Sequence, residues 1–412
     1  MAQATEVQKA AENTSVRPFE FNFPEEELTD LRRRIEATRW PEKETVTDDS
    51  QGVQLTTMEK LARYWATDYD WRKCEARLKS FPNFTTEIDG LDIHFIHVRS
   101  KLENALPVCI VHGWPGSIVE QMKLIEPLTD PTAYGGTAEE AFDVVIPSIP
   151  GYGFSGKPTE PGWNPVKVAK AFNTLMTRLG YTKFVAQGGD WGAVIVDMMG
   201  LEAPPELLAI HTNMAGAVPN DIDAAAFSGQ PAPENLSEDE KVAYNRLQFV
   251  YQKGIGYGFQ MGLRPQTLYG IADSPIGLAA YFLDHDQRSY RLIARVFDGE
   301  TEGLTRDDVL DNITLTWLTN TFVSGARLYW EFWGNSYFNV KGVTIPAAVS
   351  VFPDELYPAP RSWTERAYPK LIHFNKLEKG GHFAAWEQPQ LFSEEVRTGF
   401  RSLRKMATRK AS

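Results

Sequence analysis

The run Phe184-Val185-Ala186-Gln187-Gly188-Gly189-Asp190-Trp191-Gly192-Ala193 sets one carboxylate among glycines, where an apolar strand pattern meets an apolar helix pattern. A strand, two glycines, a reactive residue, one further residue and a glycine describe a very tight turn. Its central residue takes a strained backbone and stands above the sheet. A carboxylate there suits attack on a saturated carbon that carries a strained or good leaving group, giving an alkyl-enzyme ester. A helix N-cap would also account for an aspartate, but not for glycines on both sides of it. No Gly-x-Ser-x-Gly occurs in the chain. Asp190 is therefore the candidate nucleophile.

Freeing such an ester takes a base. The seven histidines are His94, His97, His112, His211, His285, His373 and His382. Only His382 lies in a glycine-flanked loop (Gly380-Gly381-His382-Phe383) after the final strand pattern, and His94 and His97 read as structural. Pro353-Asp354-Glu355-Leu356 follows the preceding strand pattern and offers two carboxylates that could orient an imidazole. Upstream, His112-Gly113-Trp114-Pro115-Gly116-Ser117 follows a strand ending at Val111. Pro115 has no N–H, so Trp114 is the natural backbone donor of that loop. Gly151-Tyr152-Gly153-Phe154-Ser155-Gly156 matches a dinucleotide-binding pattern, but Lys157-Pro158, Pro161 and Pro165 follow it. No helix can begin inside the motif to bind a pyrophosphate, so NAD is not expected.

These groups need a large scaffold, and 412 residues with 42% hydrophobic and 12% aromatic side chains can supply one. The net charge of -12 argues against a nucleic-acid or anionic-membrane partner, which would require a basic face. Cys74 and Cys109 alone make neither a disulfide framework nor a thiolate metal cluster. No signal-peptide pattern and no membrane-spanning apolar run is visible, so the expected location is cytoplasmic.

From Thr85 the chain alternates about Asp89-Gly90, a hairpin signal. Strand patterns at Pro107–Val111, Phe142–Ile149, Phe184–Ala186 and Leu207–Ile210 then alternate with helical ones, which predicts an α/β fold with a mostly parallel sheet covered on both faces. Residues 218–240, rich in Pro, Asp, Glu, Ala and Ser, read as an excursion or linker. A helical, aromatic stretch follows to about Gly342. Strands return at Val343–Phe352 and Leu371–Phe374, before a last helix with Phe392, Val396, Phe400 and Leu403 on one face. At the N-terminus residues 1–16 look frayed. Amphipathic helices at Phe23–Trp40, with Pro24 at its first position, and around Met58–Tyr69 must lean on the main body. The expected units are residues 1–83, an N-terminal meander; 84–216 and 343–412, the core; and 217–342, a helical lid.

The elbow at Asp190, the loop His112–Ser117, Pro150–Ser155, Pro353–Leu356, Gly380–Phe383 and the opening Phe19–Pro41 together resemble the epoxide hydrolases of the α/β-hydrolase superfamily, in the microsomal-type branch with an N-terminal meander. The likeness runs from about Arg17 to Met406. It implies an α/β-hydrolase fold and an oxyanion hole made by the N–H groups of Trp114 and Trp191. It selects Glu355, directly before Leu356, as the carboxylate that orients His382. It also implies two lid tyrosines as proton donors. Tyr257 stands seven residues before Arg264-Pro265, and Tyr329 lies in Ala326-Arg327-Leu328-Tyr329, with Tyr337 and Trp330 close by. The implied partners are a small-molecule epoxide and water, with no cofactor or metal, in detoxification or aromatic hydrocarbon catabolism. A homodimer is compatible with the sequence. The membrane anchor of some members does not carry over. The nearest rival, a haloalkane dehalogenase, shares the Asp-Trp pair but would need halide-binding N–H donors in place of the lid phenols. A non-catalytic binding protein of this fold would have lost at least one of Asp190, His382 or their acid, and none is missing.

Overall fold

The computed structural model describes residues 13–300 and 303–408, the last four of these by backbone only. Most of the expected fraying at residues 1–16 lies outside the described residues. Among the described residues nine strands form one sheet: β1 (Arg17–Pro18), β2 (Asn83–Ile88), β3 (Leu91–Val98), β4 (Leu106–Val111), β5 (Phe142–Pro147), β6 (Phe184–Gly188), β7 (Leu207–Thr212), β8 (Ala347–Val351) and β9 (Leu371–Lys376). Their order is β1-β2-β3-β5-β4-β6-β7-β8-β9. The pairs β1–β2, β2–β3 and β3–β5 are antiparallel and the remaining pairs are parallel. Asp89 and Gly90, both at positive φ (51° and 77°), make the β2–β3 turn, as a tight hairpin requires.

The strands β4, β6 and β8 are buried almost throughout, because helices cover both faces of the sheet. Chain order reverses around β4, which lies between β5 and β6. In parallel sheets the crevice beyond the strands' carboxyl ends at such a reversal is where ligands bind. The loops after β4, β6, β8 and β9 all open at that end, and they carry Trp114, Asp190, Glu355 and His382.

Between β7 and β8 the chain leaves the sheet for a series of helices from Asn220 to Phe332. The two ends of this excursion meet: the Val218 N–H donates to Phe338 O at 2.9 Å, and the Val340 N–H to Val218 O at 3.1 Å. N-terminal helices Glu25–Glu36, Leu55–Thr67 and Trp71–Lys79 pack against it. Trp65 Nε1 donates to Thr314 at 3.0 Å, the Tyr69 hydroxyl to Asp311 at 2.7 Å, and Arg34 to Asp273 at 2.8 Å.

Several expectations need adjusting. Pro24 is the N-cap of its helix and not the first helical residue. The segment from 218 to 240 is not wholly linker: Asn220–Phe227 is helical, with Pro219 fixing the entry, Asp221 and Asp223 in the first turn and alanines to continue it. Helix Trp71–Lys79, N-capped by the Asp70 side chain on the Arg72 N–H, was not foreseen. β8 starts at Ala347 and not at Val343, just past Pro346, which has no N–H for a ladder.

Candidate active site

At the end of β6 the chain turns through Asp190 at φ 53° and ψ −126° and enters helix Trp191–Glu202. A non-glycine residue at that φ stores strain of about 1–3 kcal/mol. The glycines are steric necessities. A Cβ on Gly188 would lie 2.1 Å from the Gly192 carbonyl oxygen, one on Gly192 2.0 Å from that of Val111, and one on Gly113 2.4 Å from Asp190 Cβ. Gly192→Ala should therefore destabilise the protein by at least about 2 kcal/mol, read as a lower denaturant midpoint with an unchanged slope.

The close approach of the β4 loop lets the Trp114 N–H donate to Asp190 Oδ1 at 2.7 Å. His112 anchors that loop: its Nε2 accepts from the Ile149 N–H at 3.1 Å and Nδ1 meets Gly113 O at 3.0 Å. Asp190 Oδ2 faces His382 Nε2 at 3.4 Å. His382 Nδ1 in turn lies 2.6 Å from Glu355 Oε1, with both side chains 1% exposed. Residue patterning left Asp354 and Glu355 both open, and the structure separates them. The Asp354 side chain is 59% exposed and pairs with Arg288 at 3.1 Å.

Burial alone would lower the basicity of His382, but the charges of Glu355 and Asp190 outweigh it and hold the imidazole well above its ordinary range. Burial would likewise raise Asp190. The imidazoles of His285 and His382 overcome that and hold it well below the usual carboxylate range. The result is an ionised carboxylate with one oxygen fixed by a backbone donor and the other turned toward imidazole.

Over this carboxylate sit aromatic rings from the helical excursion. Tyr257 stacks on Trp114 with ring centroids 4.8 Å apart, Tyr329 meets Trp191 edge-on at 4.8 Å, and the two tyrosine rings are 6.2 Å apart. Both phenols are pushed well above their ordinary pKa, first by burial and then by the charge of Asp190. They stay protonated. Trp330 is 47% exposed on the outside, whereas Tyr337 packs on Trp191 at 5.0 Å. The Gly151–Gly156 loop carries no helix. It is a seat for helix Phe322–Phe332, which bears Tyr329: Ser324 Oγ donates to Gly151 O at 2.6 Å and the Tyr152 hydroxyl to Gly325 O at 3.1 Å.

The sequence reading missed two groups. His285, 1% exposed, reaches from the helical excursion to within 3.7 Å of Asp190 Oδ2. Its only signal was the pair His285-Asp286 at the N-cap of helix Gln287–Phe297. Glu120, buried beneath the Trp114 loop, is pushed up to about 7 by burial, and its Oε1 lies 3.4 Å from the Gly113 nitrogen. Donor atoms of Asp190, His285 and His382 all lie within 4.8 Å of one another, a spacing that could hold a cation. A cation there would occupy the attacking oxygen and the base together, so this donor set reads better as an acid–base cluster. As expected, His94 is structural, lying between Ser148 Oγ at 2.9 Å and Asn83 Oδ1 at 3.0 Å. His97 also is: its Nε2 lies 2.8 Å from the Tyr181 hydroxyl.

Known proteins resemble this chain along most of its length. Residues 16–121 match the family described as epoxide hydrolase N terminus, and residues 107–250 match the alpha/beta hydrolase fold. The chain is 48% identical to a Stigmatella aurantiaca relative, provisionally named an epoxide hydrolase, over 94% of this chain and 86% of that one. It is 36% identical to epoxide hydrolase 1 of Sus scrofa, over 94% and 89%. The crystal structure of juvenile hormone epoxide hydrolase from the silkworm Bombyx mori superposes with a TM-score of 0.82 at 29% identity, covering 96% of each chain. That of Aspergillus niger epoxide hydrolase gives 0.78 at 30%, covering 95% of this chain and 97% of that one. A strained aspartate elbow beneath paired phenols and relatives matched along nearly their whole length lead to one family: the chain belongs to the microsomal-type epoxide hydrolases of the α/β-hydrolase fold.

Proposed function

We propose that the chain adds water to an epoxide to give a vicinal diol through an ester on Asp190. The observation that carries this reading is the division of labour on that carboxylate: Oδ1 is tied to the Trp114 N–H at 2.7 Å, while Oδ2 faces outward toward His382 under two buried phenols. Oδ2 attacks an epoxide carbon as Tyr257 and Tyr329 hydrogen-bond the ring oxygen and supply its proton. Epoxide oxygen leaves poorly unless protonated, and phenols held above their ordinary pKa keep their protons at neutral pH until the opening ring oxygen takes one.

Alkylation removes the negative charge in front of His382 Nε2, so the imidazole becomes easier to deprotonate. It turns into a base when one is needed. Oriented by Glu355, it takes a proton from water that attacks Asp190 Cγ, while the Trp114 and Trp191 N–H groups hold the oxyanion at the N-terminus of helix Trp191–Glu202. These roles require no metal or cofactor.

An apolar groove lined by Phe227, Ile255, Phe259, Trp333 and Tyr337 adjoins this centre, where Tyr337 touches Trp191. It suits an epoxide with an apolar substituent. The division into a meander (1–83), a core (84–216 and 343–412) and a lid (217–342), a cytoplasmic location, a role in detoxification or aromatic hydrocarbon catabolism, and a homodimer belong to the same proposal. Among the described residues no helix is long and apolar enough to cross a membrane.

Diol formation from styrene oxide, with no halide release from a bromoalkane, is the expected outcome. The reverse would favour the dehalogenase reading. Tyr257→Phe and Tyr329→Phe should each slow alkylation by about 10-fold or more, and together by about 10³-fold, measured by single-turnover quench.

A further inference from the structure

A second imidazole–carboxylate pair meets Asp190, and the scheme above leaves it unused. His285 lies between helices Pro275–Leu283 and Gln287–Phe297. Its Nδ1 is 3.0 Å from Asp286 Oδ2, while Asp286 Oδ1 accepts the N–H groups of Arg288 at 3.0 Å and Ser289 at 2.8 Å. Among the described residues the buried His285 Nε2 has no hydrogen-bond partner, and Asp190 Oδ2 is 3.7 Å from it. The ring lies over that of His382, with centroids 4.2 Å apart and planes at 32°.

We propose that His285, oriented by Asp286, is a catalytic acid of the second half-reaction, protonating Oδ2 of Asp190 as the glycol departs. This rests on Asp190 being the nucleophile. Once Oδ2 is alkylated it is the oxygen that must leave Cγ when water attacks, and it departs as an alkoxide unless something protonates it. His382 has just accepted the proton of water. A second imidazole aimed at the same oxygen supplies what is missing.

The stacking decides how the two imidazoles divide the work. In the resting enzyme the Asp190 charge lies between them. In the ester that charge is gone, and two imidazolium rings 4.2 Å apart repel. With one proton between them that repulsion is avoided, and one ring can act as a base while the other acts as an acid. Protons balance across the step. His382 takes one from water, whose oxygen joins Cγ. The Cγ–Oδ2 bond breaks as His285 gives Oδ2 a proton. The regenerated Asp190 carboxyl releases the second water proton, and these two protons restore His285 and the phenol that served the epoxide oxygen.

The charged and titratable groups around His285 are Asp284 and Asp286 on its own segment, Asp190 from the elbow, and Tyr257 from helix Gly256–Leu263. From the last loop come His382, backed by Glu355, and Glu387, which faces Asp286 and His382. Arg246 and Arg288 border the cleft beside Asp286.

Rapid-quench kinetics and mass spectrometry on the full chain, across pH with styrene oxide, test the assignment. For His285→Gln we expect ester formation within about threefold of wild type, ester hydrolysis slowed about 10–100-fold, and loss of the alkaline limb of the hydrolysis profile. Asp286→Asn keeps a good N-cap while removing the carboxylate that meets His285 Nδ1. It should fold normally and slow ester hydrolysis while leaving ester formation near the wild-type rate. Wild-type hydrolysis rates and pH limbs in both variants would overturn the proposal. So would equal slowing of both half-reactions with unshifted limbs, the mark of a structural role. If no ester formed in wild type or in His382→Gln, the nucleophile assignment would fail and the proposal with it. That result is distinct from an ester that forms and then hydrolyses normally without His285.

Discussion

Asp190→Ala is expected to cut kcat/KM for epoxide opening by about 10⁴-fold or more, since a covalent nucleophile has no substitute in its site. The protein should still fold, because alanine places the same Cβ on the same φ 53° backbone and neither adds nor relieves strain at the elbow. Isotope transfer gives the sharper form of the prediction. In a single turnover in ¹⁸O-water the released diol should carry no label, because its new oxygen is the old Asp190 Oδ2, and the label should appear in the aspartate. Direct labelling of the diol with an unlabelled Asp190 would mean that water attacks the epoxide itself and would end the ester mechanism. Retained turnover in Asp190→Ala would do the same.

His382→Gln should separate the two half-reactions. Glutamine cannot accept the proton of water, so ester hydrolysis is expected to fall by about 10³-fold while alkylation proceeds. Intact-protein mass spectrometry should then find a stable adduct one substrate mass above the free protein. Lost activity without an adduct would refute the role. The same variant has a stability signature. The folded-state pKa of His382 lies well above its ordinary value because Glu355 and Asp190 face it inside a buried site. Its contribution to stability is therefore complete below the unfolded pKa of about 6.5, and is lost as pH rises through the higher folded value. The melting-temperature deficit of His382→Gln should be larger in acid to neutral buffer than in strongly alkaline buffer.

Much of the centre was legible because its parts are local. Glycines that tolerate no Cβ mark the elbow, and a proline without an N–H singles out Trp114 in its loop. Glycine flanks mark His382 among seven histidines. The short apolar runs of β4 to β7 read as strands because a sheet covered on both faces leaves them no polar side. Other features had no local mark. Helix Asn220–Phe227 hides in a composition that suits a linker. By residue type alone Asp354 and Glu355 are equivalent neighbours in a loop; the family likeness selected Glu355, and burial gives the physical reason, separating the exposed partner of Arg288 from the enclosed partner of His382. The prolines after Gly151–Gly156 already argue against a phosphate loop, but that the motif seats the helix bearing Tyr329 has no mark in the sequence.

The sequence by itself determined the elbow, the order of its partners along the chain and the class of sheet that presents them, since each depends on backbone geometry within a few residues. Only the tertiary structure decided which side chains meet over Asp190. His285 comes from a helical segment remote from the elbow in sequence, with no glycine or strand to announce it, and reaches Oδ2 because the excursion after β7 folds back over the sheet. Convergence of that kind is set by how whole helices pack, and the residue types alone do not record it.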